Sequence, residues 1–448
     1  MIVTLRMLLL ILLGATLIAG GALDPRFIWL AVAYLLVLLL LMIADFLLTS
    51  RPHDLEVERL HDQRLSLGAD NAITILVANR SRQKVHLQIR DEYPPSFQSS
   101  HTILEGQVAP FELYETRYLL HPYQRGNYAF GDIHIRYTSR LQTFIRQVCY
   151  PAQVAIKVYP NVLEVRKYDL LARRGLLHEF GLRPQRILGS GTEFERLREY
   201  STDDEYRRIN WKATARRGKP IAAEYETERS QYVVSVIDSG RLMRSPVPSG
   251  DPKPQENSPQ SLAKLDYAIN SALLLSYVAL LKGDYVGMLT FADDVRTYLA
   301  PRCGKVQFQR MLEALYHVQF EMVEANHTQA LTYLGARHRR RSLVVMYTDL
   351  VTLDAARPMI ATMANLSRHH IPLCVLIADP HISQLRHKPV QASQAVYERA
   401  VAEMLLDERK AVCDMLNRHG VLTLDVPANQ LSVSVINTYL ELKGRGAI

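Results

Sequence analysis

Cysteine is sparse: Cys149, Cys303, Cys374 and Cys413 are the only four in 448 residues. They are scattered and form no C-x-x-C pair, which excludes a zinc-ribbon pattern and a disulfide framework. Free thiols fit a reducing compartment. No G-x-x-x-x-G-K-[ST] stretch occurs, so a phosphate-binding loop and ATPase activity of that type are excluded. Gly189-Ser190-Gly191 lacks the strand-to-helix setting of a nucleophile elbow. The formal net charge of +8 is mild for this length. It permits contact with anionic lipid but lacks the concentrated basic face expected of a nucleic-acid binder. The densest basic run, Arg337-His338-Arg339-Arg340-Arg341, suits a solvated helix terminus or an anionic surface.

What is present begins with two apolar runs, Met7 to Leu23 and Phe27 to Leu48, the second interrupted only by Asp45. Crossing a bilayer takes about 20 apolar residues. Only Asp24-Pro25-Arg26 separates the runs, so a transmembrane helical hairpin over residues 1–50 is expected. A cleaved signal peptide is the rival for the first run, but the second run directly behind it favours the hairpin. Arg6 on one flank and Arg51, Arg59 and Arg64 on the other put both ends and the body on the cytoplasmic side.

Over residues 51–160 the period becomes two. Segments 72–78, 85–89, 116–120, 132–137 and 154–159 read as short strands broken by Asn79, Pro94-Pro95, Pro110 and Gly126-Asn127. That spacing predicts a small, immunoglobulin-like β-sandwich. Residues 161–230 form a connector. In it, Thr202 and Glu205 have capping-box spacing, so a helix is expected from there to about Arg216, with Gly218 as its stop. Trp211 argues that this helix is not fully exposed. From 231 to 448, apolar strands (233–237, 285–291, 343–348, 373–378, 421–424) alternate with helical stretches (262–281, 306–317, 355–369, 396–418), and a last helix carries Val433, Val435, Ile436 and Leu440. The alternation predicts an α/β doubly wound sheet. The Pro-rich stretch 244–254 reads as a loop.

Ligands of such sheets sit beyond the carboxyl ends of the strands. Asp238 ends the first strand, Asp349 ends the strand 343–348, and Thr328 opens the helix before it. Two carboxylates and a hydroxyl are hard oxygen ligands of the kind magnesium takes.

On these residues the last half of the chain resembles a von Willebrand factor A-type domain. The segment Arg198 to Arg216, with Tyr200, Asp203, Asp204, Arg207, Arg208, Asn210 and Trp211, resembles the bacterial domain of unknown function 58 family. The hairpin and sandwich also match that family's layout. The resemblance implies a bacterial inner-membrane protein that works with a MoxR-type AAA+ ATPase and a membrane transglutaminase-like protein, in complex assembly or cell-envelope processes. The von Willebrand pattern Asp-x-Ser-x-Ser is degenerate here: Asp238 matches, Gly240 and Leu242 stand at the serine positions, and Thr328 and Asp349 match the later ones. An acidic edge without metal is therefore favoured over a magnesium site, and no other cofactor is indicated.

The expected function is a non-enzymatic, membrane-anchored interaction adaptor that docks through the Arg198-to-Arg216 segment. The same segment could instead join the sandwich to the α/β unit. The alternative function is an envelope hydrolase using Asp238 and Asp349.

Overall fold

In the computed structural model, the residues described are 2–20, 22, 24, 26–173, 188–189, 193–201, 206, 209–226, 230–248, 261–350, 352–379, 382, 385–386 and 393–446. The chain divides into two compact units, Met1–Tyr159 and Pro160–Ile448.

The first unit starts with a short strand β1 (Ile2–Val3) and two apolar helices, α1 (Leu5–Gly20) and α2 (Arg26–Leu48). Both are apolar around nearly their whole circumference, and most of their side chains are exposed, the signature of a helix whose natural surroundings are not water. They pack on each other: a Cβ on Gly14 would meet the Tyr34 ring at 3.2 Å, and the Tyr34 hydroxyl donates to the Leu10 carbonyl at 2.9 Å. By length and composition α2 can cross a membrane, whereas α1 is shorter.

Eleven further strands follow: β2 (Leu55–Leu60), β3 (Arg64–Ser66), β4 (Asn71–Asn79), β5 (Val85–Asp91), β6 (Phe97–Ser99), β7 (Leu104–Val108), β8 (Leu113–Pro122), β9 (Gly126–Phe130), β10 (Ile133–Thr138), β11 (Phe144–Tyr150) and β12 (Val154–Tyr159). They form sheets β1-β11-β10-β5-β7, β2-β4-β8-β6 and β3-β12-β9. Alternation is strict where one face meets the core, as along β5, whose odd-numbered residues Val85, Leu87, Ile89 and Asp91 are all buried. Asp91 is the exception in kind. Its carboxylate takes the Arg59 guanidinium and the Tyr118 hydroxyl, and Arg59 also donates to the carbonyls of Ala152 at 2.7 Å and Gly131 at 2.9 Å. Arg59 and Tyr118 belong to one sheet and Asp91 to another, so a satisfied buried ion pair pins the sandwich.

The second unit opens with α3 (Val162–Arg173), then β13 (Leu188–Gly189), β14 (Glu193–Glu199), α4 (Trp211–Arg217) and β15 (Ile221–Glu226). β13 and β14 both pair antiparallel with β15, so the expected connector contains a small sheet. The helix expected from Thr202 to about Arg216 is not continuous: its described part, α4, begins at Trp211. Residues 202–205 lie outside the described ones. Ile209 forms an isolated bridge to Ala222, and Asn210 is extended as the N-cap of α4; extended backbone there ends any helix arriving from upstream. Gly218, at φ 67°, closes α4 as expected.

The rest comprises β16 (Tyr232–Asp238), β17 (Pro246–Pro248), β18 (Ser261–Ala263), α5 (Lys264–Leu281), β19 (Tyr285–Phe291), β20 (Val295–Arg302), α6 (Lys305–His317), α7 (His327–Arg337), β21 (Leu343–Thr348), α8 (Leu353–Leu366), β22 (Ile371–Ala378), α9 (Ser393–Arg418), β23 (Leu422–Pro427) and α10 (Leu431–Gly444). The main sheet has the order β20-β19-β16-β21-β22-β23. All neighbours are parallel except β19 and β20. Strands β16 and β21 are buried at nearly every residue, because helices cover both faces. One face packs Val234, Val236, Val344 and Met346 against α7, α8 and α9; α5 lies against β16 and β19. The edge strand β20 was not expected from the sequence, since its side chains are mostly half-buried. Part of the stretch read as a Pro-rich loop is strand β17, paired with β18; residues 249–260 lie outside the described ones. At the amino edge, buried Asp284 takes the Lys443 ammonium at 2.6 Å, the Tyr439 hydroxyl and the Gln231 amide at 3.0 Å, tying α10 to the sheet.

At the same edge the rings of His338 and His370 stack with centroids 6.0 Å apart, both buried. Burial pushes both imidazoles below their usual range, helped by Arg340 at His338 and by His338 and His369 at His370. Below about pH 6.5 the unfolded chain therefore binds more protons than the folded one, and stability falls as pH drops through that value and below. Thermal unfolding of the wild type followed from pH 7 to pH 5 is expected to show a falling midpoint, and His370→Gln is expected to flatten that fall. An unchanged slope in the variant would assign the pH dependence elsewhere.

Candidate functional site

The strand order makes β16 and β21 neighbours while the chain leaves them toward opposite halves of the sheet. That is a topological switch point, where a crevice opens at the carboxyl ends. Asp238 ends β16, and Asp349 follows Thr348 at the end of β21.

Asp238 is buried. Its Oδ1 accepts from the Gly240 amide at 2.7 Å, and its Oδ2 accepts from the Thr348 hydroxyl at 2.6 Å. The Thr348 oxygen lies 2.9 Å from His327 Nε2. A hydroxyl has one proton, already given to Asp238, so His327 is the donor in that contact. The relay is His327 to Thr348 to Asp238. Thr328, the hydroxyl expected at this edge, is exposed on the first turn of α7. The structure corrects that expectation by one residue on α7, where His327 faces the edge, and supplies the hydroxyl from Thr348 of β21.

Asp349 is also buried. Its Oδ2 accepts from the Lys264 ammonium at 2.7 Å. Its Oδ1 accepts from Arg409 Nη1 at 2.8 Å and from the Leu350 amide at 3.0 Å. Arg409, on α9, is held in turn by Asp425 of β23, whose two oxygens lie 2.9 and 3.0 Å from its Nε. Lys264 follows β18 directly, and its backbone amide donates to the carbonyl of Ser245, the residue before β17, at 3.0 Å. Lys264, His327, Thr348, Arg409 and Asp425 escaped the sequence reading. Asp425 alone had a local signal, an acid just past the apolar stretch 421–424.

These residues do not fit magnesium. All four oxygens of Asp238 and Asp349 already accept from protein donors, and a lysine and an arginine supply positive charge at Asp349. A serine side chain at 240 would be crowded: a Cβ there would lie 3.1 Å from Ala325 Cβ, from Asp238 Oδ1 and from the Val323 carbonyl, so those neighbours would have to give by a few tenths of an ångström. Among the described residues, no three His, Cys, Asp or Glu side chains converge. The strict oxygen geometry of magnesium is not available at this edge.

The second candidate is the Arg198-to-Arg216 segment. Arg198 sits on β14 opposite Ala222, and the Tyr200 amide donates to the Pro220 carbonyl at 3.0 Å. Asn210 has a structural job: its Oδ1 accepts from the Ala213 amide at 3.1 Å, an N-cap of about 1 kcal/mol. Asp203, Asp204, Arg207 and Arg208 lie outside the described residues. Trp211, read as an argument against full exposure of its helix, is 59% exposed, and Tyr206 is 68% exposed. Their rings meet edge-on with centroids 5.7 Å apart. An aromatic pair this exposed leaves apolar surface in water that a partner could cover.

The family described as "Protein of unknown function DUF58" matches over residues 196–396. No curated protein matches the chain. Among solved structures, the chain is similar to the PilB minor pilin from Streptococcus sanguinis at 9% identity, over 82% of this chain and 88% of that one, with a TM-score of 0.33. It is similar to the conserved hypothetical protein BatB from Bacteroides thetaiotaomicron at 13% identity, over 48% of this chain and 100% of that one, with a TM-score of 0.29. A FixG-related protein from Vibrio parahaemolyticus gives 15% identity over 23% of this chain and 96% of that one, with a TM-score of 0.17.

Removing one member of a buried ion cluster costs about 3–5 kcal/mol, because the partners stay buried and unpaired. Asp349→Ala is therefore expected to lower the denaturation midpoint of the α/β unit strongly. Lys264→Met is expected to cost less, since Asp349 keeps Arg409. Millimolar magnesium is expected to leave the wild-type melting temperature unchanged; a clear rise that disappears on chelation would reinstate a metal site.

Proposed function

Residues 196–396 carry the DUF58 family, whose function is unknown, and on that premise we propose that this chain is a membrane-anchored, non-enzymatic docking protein. Its partner is a MoxR-type AAA+ ATPase, with a membrane transglutaminase-like protein in the same assembly. The two apolar helices form a transmembrane hairpin in a bacterial inner membrane, with the body on the cytoplasmic side. The α/β unit is a von Willebrand factor A-like domain that works without a metal. Lys264 and Arg409 neutralise the acidic edge from within, and the docking surface is the segment around Trp211.

The observation that carries this reading is the exposed Tyr206–Trp211 pair inside the family segment. Binding energy concentrates in Trp, Tyr and Arg, and the segment holds all three. The hydrolase alternative draws no support from the edge, where both carboxylates are engaged by donors.

The Tyr206→Ala, Trp211→Ala double variant is expected to lose partner ATPase in affinity purification from membranes. At a hot-spot cost of about 2 kcal/mol or more, binding weakens about thirtyfold. The melting temperature stays unchanged, because neither ring is buried. Full retention of the partner would sink the docking role. Cys149 and Cys303 are exposed free thiols. An impermeant maleimide is expected to label them only after the cells are permeabilised; labelling in intact cells would reverse the orientation.

A further inference from the structure

We propose that the end of the β-sandwich nearest the apolar helices is a collar that sits in the bilayer interface and binds anionic phospholipid headgroups. This rests on the membrane-anchored reading above.

The collar is built rigidly onto the end of α2. Asp45, in the last turn of that helix, is fully buried. Its carboxylate accepts from the Leu141 amide at 2.8 Å and from the Thr143 hydroxyl and amide. The Ser50 carbonyl accepts from the Tyr137 hydroxyl at 2.9 Å and from Arg146 Nη1 at 3.1 Å. The Ser50 hydroxyl donates to Ser81 Oγ at 3.0 Å, and the Gln83 amide donates to the Leu48 carbonyl. On the other helix, β1 pairs with β11 just before α1 begins. A third turn joins them, since Asn79 Nδ2 donates to the Ala109 carbonyl at 3.0 Å and the Asn79 amide to the Glu112 carbonyl at 3.0 Å. Loops 79–84, 109–112 and 139–143 therefore lie level with the carboxyl end of α2.

Those loops carry apolar tips. Phe111 is 69% exposed and Leu141 46%, and Leu113, the first residue of β8, is 64% exposed. Phe111 and Gln142, next to Leu141, are the described non-glycine residues with positive φ, at 58° and 60°. Left-handed backbone is disfavoured for such residues, most of all for a bulky one. Phe111 is nevertheless held there with its ring turned mostly to the surface. A phenylalanine or leucine at the bilayer surface gains contact with acyl chains.

The same loops and the helix ends joined to them carry cations. Arg6, Arg51, Arg82, Lys84 and Arg140 are exposed, and their side chains have no acidic partner among the described residues. Glu112 is the exposed acid in the same loops, and Asp54 accepts from the Arg51 amide at 2.7 Å. Positive charges level with the end of an apolar helix meet phosphate groups, and their aliphatic stems lie along the apolar zone. The match is to an anionic headgroup held at a surface, because the apolar tips and the cations occupy one level.

The test uses the full chain in nanodiscs of phosphatidylcholine, with or without phosphatidylglycerol and with acyl chains brominated near the glycerol. Phe111→Trp and Leu141→Trp are made separately in a Trp29→Phe, Trp211→Phe background. The Trp211→Phe variant, which keeps Trp29, reports anchoring. Both new reporters are expected to emit blue-shifted and to be quenched. The Arg82→Gln, Lys84→Gln, Arg140→Gln variant is expected to lose phosphatidylglycerol enrichment around the protein, by up to about fivefold per charge at low salt. Reporters at 111 and 141 that stay unquenched while Trp29 is quenched would overturn the collar and leave anchoring intact. Unchanged phosphatidylglycerol enrichment in the triple variant would overturn headgroup binding. Unquenched Trp29 would remove the anchoring reading itself.

Discussion

A carboxylate taken out of water must be met by donors inside the protein, and that constraint organises both units of this chain. Asp45, Asp91, Asp238, Asp284 and Asp349 are all buried. Each is satisfied in a different way, and each satisfaction fixes a piece of geometry. Asp45 joins α2 to a loop of the sandwich. Asp91 joins two of its sheets through Arg59 and Tyr118. Asp284 holds α10 to the amino edge of the main sheet. Asp238 and Asp349 close the opposite edge. Such groups stabilise less than apolar packing would, but breaking one is expensive, so they favour one arrangement over its competitors.

The closed edge has a functional consequence. A switch point between two strands is the usual place for a ligand in an open α/β sheet. Here Lys264 and Arg409 supply positive charge at Asp349, and a side chain in place of Gly240 would crowd Ala325, Asp238 and Val323. Attention moves to surfaces that remain unsatisfied. Tyr206 with Trp211 in one unit, and Phe111 with Leu141 in the other, expose apolar area that water does not favour.

Much of the architecture was legible in the residue pattern. The apolar runs marked α1 and α2, period-two alternation marked β4 and β5, and continuous apolar runs marked β16, β19, β21 and β22. Asp238 and Asp349 were identifiable because acids directly after buried strands stand at a sheet edge. Thr328 was misplaced, because a helix start is uncertain by a residue or so and one residue turns a side chain by about 100°. The helix expected over 202–216 is not continuous, because Asn210 caps α4 and Ile209 bridges. A local capping signal at Thr202 does not weigh a later, tertiary one. Strand β20 was missed because an edge strand with half-buried side chains has no strong period.

Local pattern by itself determined the order of the main elements, the apolar helices ahead of the strands, and the acids that end β16 and β21, because periodicity and burial of apolar side chains act over a few residues. Tertiary structure alone decided which donors meet those acids. Lys264 is 85 residues from Asp349 in the chain, and Arg409 is 60 residues from it. No short-range rule links them. Their meeting depends on strand order and helix placement, because a buried carboxylate needs donors within hydrogen-bond reach in space, whatever their distance along the chain.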